Sequence, residues 1–290
     1  MVGMSRIRID ANGRFDHRAA LAVLAAHRTD GVERVDDHGI SRLLTVGGDD
    51  HSVTAALDEG GVTVTVDTAD TGVHAVLIAR IRHWFDLDAD LDAVAAVLAA
   101  EPVFAEHFEQ RPGLRITRCA DAFEATVETV LGQQVTLTAA RLFDARLVAA
   151  YGTDGPAGLR RFPRPADLIA LPTDHLRATL RTTRARARTV QEVAHFFLDR
   201  EAGGPLPARA ELGALYGIGP WTLDYLAIRA GSDVDVFPAD DAVLRRMRLA
   251  HGIDEGAVER WRPVRSYAAV RLWAVAGQTR PTSTLKRHSS

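Results

Sequence analysis

LGALYGIGPWT, residues 212–222, predicts two helices joined by a tight turn. Gly217 and Gly219 flank one apolar residue, and glycine permits positive φ and the close approach of another backbone. Pro220 suits the first position of the second helix, because its missing N–H is not needed there. The free N–H groups at that helix start suit a phosphate, so the hairpin predicts a contact with a nucleic-acid backbone. A helix corner without a ligand fits the same residues, whereas a dinucleotide fingerprint lacks its third glycine.

The chain around this hairpin is predicted to be helical from Asp86 onwards. The predicted helices lie at 91–100, 120–151, 167–169, 174–180, 185–199, 209–216, 221–230, 241–251, 255–261 and 265–276. The alternation of apolar and polar residues that is typical of strands is absent after Asp86. We therefore expect an all-helical region at 88–278 that contains the helix–hairpin–helix at 209–230, followed by a disordered tail at 279–290.

The first 87 residues are predicted to form a small α/β domain instead. Strands are expected at 5–10, 41–46 and 62–67, and helices at 17–27 and 73–85. Turn signals occur at 47–50 and 58–61. The predicted fold class is thus α+β, a small sheet domain before an all-α core.

Composition restricts the possible functions of this 290-residue chain. No apolar run approaches 18 residues, so we expect a soluble cytoplasmic protein without a membrane span. A single cysteine, Cys119, excludes an internal disulfide and an iron–sulfur cluster. The only lysine is Lys286, which argues against a Schiff-base lysine inside the fold. Residues 1–90 carry 15 acidic and 9 basic side chains and the remainder 23 and 26, so polyanion binding belongs to the second part.

A pair of carboxylates follows the hairpin. VFPADD, residues 236–241, precedes the predicted helix AVLRRMRLAHG, and either Asp240 or Asp241 suits its N-cap. The spacing of this motif from Gly-Ile-Gly-Pro-Trp-Thr resembles the helix–hairpin–helix DNA glycosylases, and within them the 3-methyladenine DNA glycosylase II branch. Further matches to that branch are RPGLR at 111–115, DAFE at 121–124, VLGQQVT at 130–136 and WRPVRSYA at 261–268.

The resemblance implies that the chain excises alkylated purines, such as 3-methyladenine and 7-methylguanine, from double-stranded DNA in base excision repair. The catalytic aspartate of the family matches Asp241, which would stabilise the sugar cation beside a flipped nucleotide. Asp240 would cap the helix or support Asp241. Relatives that also cut the DNA backbone carry a lysine where this chain has Trp221, so the resemblance implies a monofunctional enzyme without lyase activity.

Three aromatic residues match the base pocket of the family: Trp221, Tyr225 and Trp273. An aromatic face attracts a positively charged alkylpurine by about 0.5–2 kcal/mol. Trp221 and Tyr225 are four residues apart, hence on one helix face. Ordinary core packing is the alternative role for all three.

DNA contacts are implied for Gly217, Gly219, Thr222, Gln133, Gln134 and Arg245. Gln134 matches the residue that fills the gap left by the flipped base, a position that is apolar in well-known members. Residues 133–136 would form a loop between two helices. Two arginine clusters, 184/186/188 and 245/246/248, suit phosphates, although solvent-exposed helix faces have the same composition.

The resemblance implies no required cofactor, although a structural Na⁺ or K⁺ can lie on hairpin carbonyls that match Leu215 and Ile218. We expect a monomer, associated with the nucleoid, with no membrane partner. Two alternatives remain open: a glycosylase with altered specificity for bulky or cross-linking adducts, and a non-catalytic module that binds damaged DNA.

Overall fold

The computed structural model describes residues 3–278, which form a small antiparallel sheet with helices and a larger helical part. The sheet has the order β1-β5-β4-β3-β2, and every pairing is antiparallel. Its strands are β1 Ser5–Asp10, β2 Glu33–Val35, β3 Gly39–Val46, β4 Asp49–Asp58 and β5 Gly61–Val66. The side chains of Val62, Val64 and Val66 are buried and lie on one face of β5, as their alternation predicts.

Two strands of this sheet were absent from the sequence prediction. β4 begins with polar residues directly after the Gly47-Gly48 turn, and only from Val53 onwards do buried and exposed side chains alternate. β2 has only three residues, too few for a pattern of period two.

The helices account for most of the remaining chain. Their bounds are α1 His17–His27, α2 Thr71–Trp84, α3 Leu91–Leu98, α4 Pro102–Gln110, α5 Ala122–Gly132, α6 Leu137–Tyr151, α7 Pro165–Ile169, α8 Thr173–Leu180, α9 Arg184–Phe197, α10 Arg209–Gly213, α11 Pro220–Arg229, α12 Ala242–Ala250, α13 Glu255–Arg260 and α14 Arg265–Gln278.

The α+β class is confirmed, with two differences in the helical part. Helix α4 was not predicted, although Pro102 at its first position is a start signal. Two short antiparallel strands also lie in the region predicted to be free of strands. They are β6 Thr153–Asp154 and β7 Arg160–Arg161, with two residues each. The tail at 279–290 lies outside the described residues.

Side-chain caps explain why many helices begin where they do. A short polar side chain precedes each of these helices and accepts one or two of its first N–H groups. Such caps are Asp16, Asp70, Asp90, Asp121, Thr136, Thr183, Asp241 and Asp254.

A buried polar joint connects the sheet domain to the helical part. The Asp86 carboxylate accepts hydrogen bonds from the Tyr267 hydroxyl at 2.8 Å and from the Arg118 guanidinium at 2.9 Å. Arg118 also donates to the carbonyl of Gly231 at 3.0 Å, at the end of the hairpin's second helix. This joint fixes helix α2 against helices α11 and α14.

Among residues 3–278, none of the helices combines the length and hydropathy that a bilayer span requires. The same residues contain no cluster of three or more histidine, cysteine or acidic side chains suited to a metal ion.

Candidate active site

Asp241 is the N-cap of α12, and its carboxylate receives four N–H groups. Oδ1 accepts the amides of Val243 and Leu244, both at 3.0 Å, and the indole Nε1 of Trp273 at 3.2 Å. Oδ2 accepts the indole Nε1 of Trp221 at 3.1 Å. Because Oδ1 holds three of these donors, Oδ2 is the oxygen with capacity left for a substrate. Asp241 therefore fills the cap position that Asp240 was also predicted to fill, and Asp240 is exposed.

The three predicted pocket aromatics form one continuous stack beside that carboxylate. The rings of Trp221 and Tyr225 are 5.2 Å apart and nearly parallel, at 20°. Tyr225 meets Trp273 at 5.8 Å and 59°. Burial raises the pKa of the Tyr225 phenol, so the stack carries no charge near neutral pH. The three rings pack together, as the alternative role predicts, and the indoles of Trp221 and Trp273 also bond to Asp241. Their contact with a flipped base stays a prediction.

A cleft of about 530 Å³ opens in front of Asp241 and Trp221. Its lining brings together residues from the hairpin, the α5–α6 turn and the start of α12: Gln133, Gln134, Gly217, Gly219, Pro220, Trp221, Thr222, Asp240, Asp241 and Ala242. Tyr225 and Trp273 are not among these lining residues; Tyr225 stacks on Trp221, and Trp273 contacts Tyr225 and bonds to Asp241. A planar group that enters the cleft therefore meets the half-buried Trp221 indole and the Asp241 carboxylate.

The two hairpin glycines differ in what the backbone demands of them. Gly217 has φ +80°, and a Cβ there would lie 2.2 Å from the Thr189 hydroxyl oxygen of α9. Gly219 has φ −98° and is the N-cap of α11, and a Cβ there would meet no protein atom within 4 Å. The fold thus requires glycine at Gly217, while the absent side chain of Gly219 leaves open space at the helix N-terminus.

Residues 133–136 form the predicted turn between α5 and α6, and we call them the wedge loop. Gln134 is exposed with φ +55°, the left-handed region that is uncommon for non-glycine residues. Gln133 points the other way: its amide donates to the Gly217 carbonyl and to the Thr222 hydroxyl, both at 3.0 Å. The Thr222 side chain is accordingly buried against Gln133 rather than directed outward.

The predicted arginine clusters divide between surface and interior. Arg245 and Arg246 are exposed on α12. Arg188 lies 4.3 Å over the exposed Tyr216 ring of the hairpin. Arg186 instead turns inward and donates to the Val130 and Gln133 carbonyls at 3.2 and 2.5 Å. The Arg186 guanidinium is therefore bound to protein carbonyls, and no spacing in the sequence separates Arg186 from its neighbours.

The Leu215 carbonyl, predicted to hold a monovalent cation together with that of Ile218, accepts the Ile218 amide at 3.2 Å. A carbonyl oxygen has two lone pairs, so this bond leaves one position on Leu215.

Comparison with known proteins agrees with this geometry. Residues 6–121 match the family model of the AlkA N-terminal domain, and residues 127–260 match the HhH-GPD superfamily base excision DNA repair protein model. The fold is similar to that of a 3-methyladenine DNA glycosylase from Archaeoglobus fulgidus, with a TM-score of 0.78, 17% identity and coverage of 95% of this chain and 99% of that one.

Two curated relatives match at higher identity. A probable bifunctional transcriptional activator/DNA repair enzyme AlkA of Mycobacterium tuberculosis is 34% identical over 93% of this chain, which spans 57% of the length of that relative. The DNA-3-methyladenine glycosylase 2 of Escherichia coli is 31% identical, over 91% of this chain and 95% of the relative. The chain therefore belongs to the HhH-GPD superfamily of base excision DNA repair proteins, in the branch of the DNA-3-methyladenine glycosylases 2.

Proposed function

We propose that the chain is a monofunctional DNA glycosylase, which flips alkylated purines out of double-stranded DNA and hydrolyses their bond to the sugar. The observation that carries this proposal is the Asp241 carboxylate, which lines the cleft beside Trp221 with Oδ2 bound by one protein donor. A module that only binds DNA has no need of a carboxylate placed against the polyanion.

The chemistry follows from the charge that develops on the sugar. When the C1′–N bond breaks, its electron pair leaves with the base, and a cationic alkylpurine departs as a neutral molecule. The sugar becomes an oxocarbenium ion, which the negative charge at Oδ2 stabilises. A water oxygen then bonds to C1′, and its proton passes to Oδ2 or to solvent, which leaves an abasic site.

Base selection would rest on the half-buried indole of Trp221, which lines the cleft. Alkylation at N3 or N7 gives a purine a positive charge, which an electron-rich indole attracts by stacking and cation–π interaction. Tyr225 stacks behind Trp221 and keeps its ring plane fixed. Such bases are also bound weakly to the sugar, so modest stabilisation by Asp241 suffices.

The hairpin would hold the DNA backbone. The first amides of α11 have no partner within the helix, and the open space at Gly219 admits a phosphate close to them. Arg245 and Arg246 supply positive charge on the neighbouring helix α12. We propose that Gln134 fills the space of the flipped base and bonds to the orphaned partner base with its amide.

The remaining expectations concern the state in which the protein works. We expect the protein to act as a monomer. A DNA substrate supports a cytoplasmic location at the nucleoid. The Leu215 and Ile218 carbonyls suit Na⁺ or K⁺, which would hold the turn in shape without entering the reaction.

The decisive experiment identifies the base released from duplex DNA that contains methylated purines, deaminated bases or bulky adducts. We expect wild-type protein to release methylpurines, and Asp241→Asn to lower the single-turnover rate by at least about 100-fold. Asn keeps the helix cap, so DNA binding should persist. Asp254→Asn is the matched control, because it alters another N-cap aspartate, on α13.

Each other outcome has a definite meaning. Release of bulky adducts in preference to methylpurines would favour the altered-specificity enzyme. Binding of damaged DNA without release of any base would favour the non-catalytic module. A stable covalent adduct after borohydride reduction would contradict a water-only mechanism, since it requires an amine attached to the sugar.

A further inference from the structure

The wedge loop is attached to the hairpin by the side chain of Gln133. The amide nitrogen donates to the Gly217 carbonyl and to the Thr222 hydroxyl, both at 3.0 Å. Thr222 is only 2% exposed, and the hydrogen bond to its hydroxyl is partly buried. One side chain therefore joins the C-terminal end of α5 to both sides of the hairpin turn.

Arg186 makes a second attachment from helix α9. Its guanidinium donates to the Val130 carbonyl at 3.2 Å and to the Gln133 carbonyl at 2.5 Å. The Val130 carbonyl lies in the last turn of α5 and also accepts the Gln133 amide at 3.4 Å, whereas the Gln133 carbonyl lies at the start of the wedge loop. Burial lowers the pKa of the Arg186 guanidinium, and an arginine side chain stays charged in proteins.

The same helix also contacts the hairpin directly. Thr189, one turn after Arg186, lies against Gly217 so closely that a Cβ would not fit. The end of α5, the start of α9 and the hairpin thus meet around Gln133. Gln134 projects from this junction into the cleft with a left-handed backbone.

We propose that Gln133 and Arg186 are positioning residues that make the wedge loop and the hairpin one rigid unit. The proposal rests on the proposed function. Displacing a stacked base costs a few kcal/mol of unstacking free energy, and a loosely attached loop would move away instead of displacing the base. The attachments fix Gln134 at a set distance from the phosphate that the hairpin holds, so that the force of insertion is transmitted to the DNA backbone.

Loosening the wedge loop should slow the release of a base from duplex DNA but not from single-stranded DNA. Single-stranded DNA presents no stacked base pair to be opened, so release of the same lesion from it should not depend on the attachment. A direct contact between Gln133 and DNA, which the sequence suggested, would instead affect both substrates. The ratio of the release rates on duplex and single-stranded DNA therefore distinguishes a positioning role of Gln133 from a direct contact with DNA.

The experiment compares single-turnover release of 7-methylguanine from duplex and single-stranded DNA. For Gln133→Ala we expect about a 10-fold lower rate on the duplex and less than about a 2-fold change on the single strand. Thr222→Val removes one acceptor with little change of volume, and its effect should be non-additive with that of Gln133→Ala, because both break the same bond.

Gln191→Ala is the matched control. Gln191 also donates its amide to a backbone carbonyl, that of Leu171 at 2.6 Å, but it lies between α7, α8 and α9, outside the cleft. It should leave the ratio of the two rates unchanged. Equal loss on both DNAs, or additive effects of Gln133→Ala and Thr222→Val, would overturn the proposal.

A second measurement does not depend on base release. The emission of 2-aminopurine placed beside the lesion reports base flipping, and Arg186→Lys keeps the charge while losing the forked pair of donors. We expect flipping slowed by Gln133→Ala and Arg186→Lys in the Asp241→Asn background as well. If wild-type protein flips the base but releases none, the proposed function fails and this inference stands; unaltered flipping in both variants would refute the inference alone.

Discussion

In the proposed mechanism, Asp241 combines a structural role and a chemical role in one side chain. Its Oδ1 receives the two α12 amides and the Trp273 indole, which fixes the rotamer of the carboxylate. Its Oδ2 receives only the Trp221 indole, on the side of the cleft. The cap that the structure shows and the catalytic role that we propose are therefore compatible, because the cap bonds on one oxygen orient the other.

The indole of Trp273 is expected to act through Asp241 and not only through its aromatic face. Trp273→Phe keeps an aromatic ring and removes the N–H group, so Oδ1 loses one of three donors. We expect the single-turnover rate to fall about 10-fold, the factor that about 1.4 kcal/mol produces, with DNA affinity unchanged. Rapid-quench kinetics and fluorescence anisotropy on an abasic duplex measure the two quantities.

A second tryptophan, Trp261, provides the control for this prediction. The Nε1 of Trp261 is buried without a hydrogen-bond partner among residues 3–278. Trp261→Phe should therefore lower stability through lost packing but leave the single-turnover rate of the folded protein near wild type. A loss of DNA affinity in Trp273→Phe as large as its loss of rate would show that the ring, not the N–H group, carries its role.

At the scale of elements, the hairpin glycines predict opposite consequences of adding one methyl group. Gly217→Ala must adopt φ +80° and push against the Thr189 hydroxyl, so we expect a loss of about 1–3 kcal/mol in unfolding free energy. Gly219→Ala has φ −98° and free space, so stability should be unchanged while DNA affinity falls. Urea unfolding and anisotropy titration separate the two effects.

A companion substitution tests the cause assigned to Gly217. Thr189→Ala removes the atom that a Cβ at Gly217 would meet, so the double variant should be more stable than the two single losses predict. Additive losses would mean that the positive φ alone accounts for the strain. Gly219→Ala with full DNA affinity would show that no phosphate approaches that position.

Helix starts were predictable because the caps are local chemistry. β1 and α1 have the predicted bounds, and Asp241 precedes α12 as a short carboxylate should. β4 was not predictable, since its first half is polar and pairs through backbone groups, which the side-chain pattern does not record. Likewise, the direction in which Gln133 points depends on a hairpin 84 residues away.

At the scale of the whole molecule, the sheet domain and the helical core meet across buried charges. Arg42 of β3 bonds to Glu33 at 2.6 Å and, across the boundary, to Glu124 of α5 at 2.5 Å. The Thr29 hydroxyl donates to Glu128 of α5 at 2.5 Å. These contacts hold the N-terminal domain against α5, whose last turn carries the wedge loop. The N-terminal domain thus supports the site without supplying a residue to the cleft lining.

Among the described residues 3–278, one buried carboxyl at this boundary has an oxygen without a hydrogen-bond partner. Asp144 of α6 is 5% exposed, its Oδ1 has no hydrogen-bond partner, and burial raises its pKa to about 8. Burial and the Asp144 charge also raise the pKa of Glu128, with Glu33 and Glu124 acting in the same direction. A carboxyl with a raised folded-state pKa binds more protons when folded, so its contribution to stability is present at low pH and is lost as pH rises towards about 8.

The free energy of unfolding of Asp144→Asn should therefore rise relative to that of wild type as pH increases from about 5 to about 8. The expected rise is up to about 1.4 kcal/mol per pH unit. The difference between the two proteins is the informative quantity, because burial lowers the pKa of His107 to about 4 and gives wild type an opposite slope below neutral pH. Asn cannot ionise, so the variant keeps the His107 slope and loses that of Asp144. Urea unfolding at half-unit pH steps measures both curves. Asp174→Asn, on the exposed side of α8, is the control, and its difference in unfolding free energy from wild type should not vary over this range. A pH-independent difference for Asp144→Asn would contradict the prediction, because it would mean that Asp144 is ionised in the folded protein and that the domain boundary admits water.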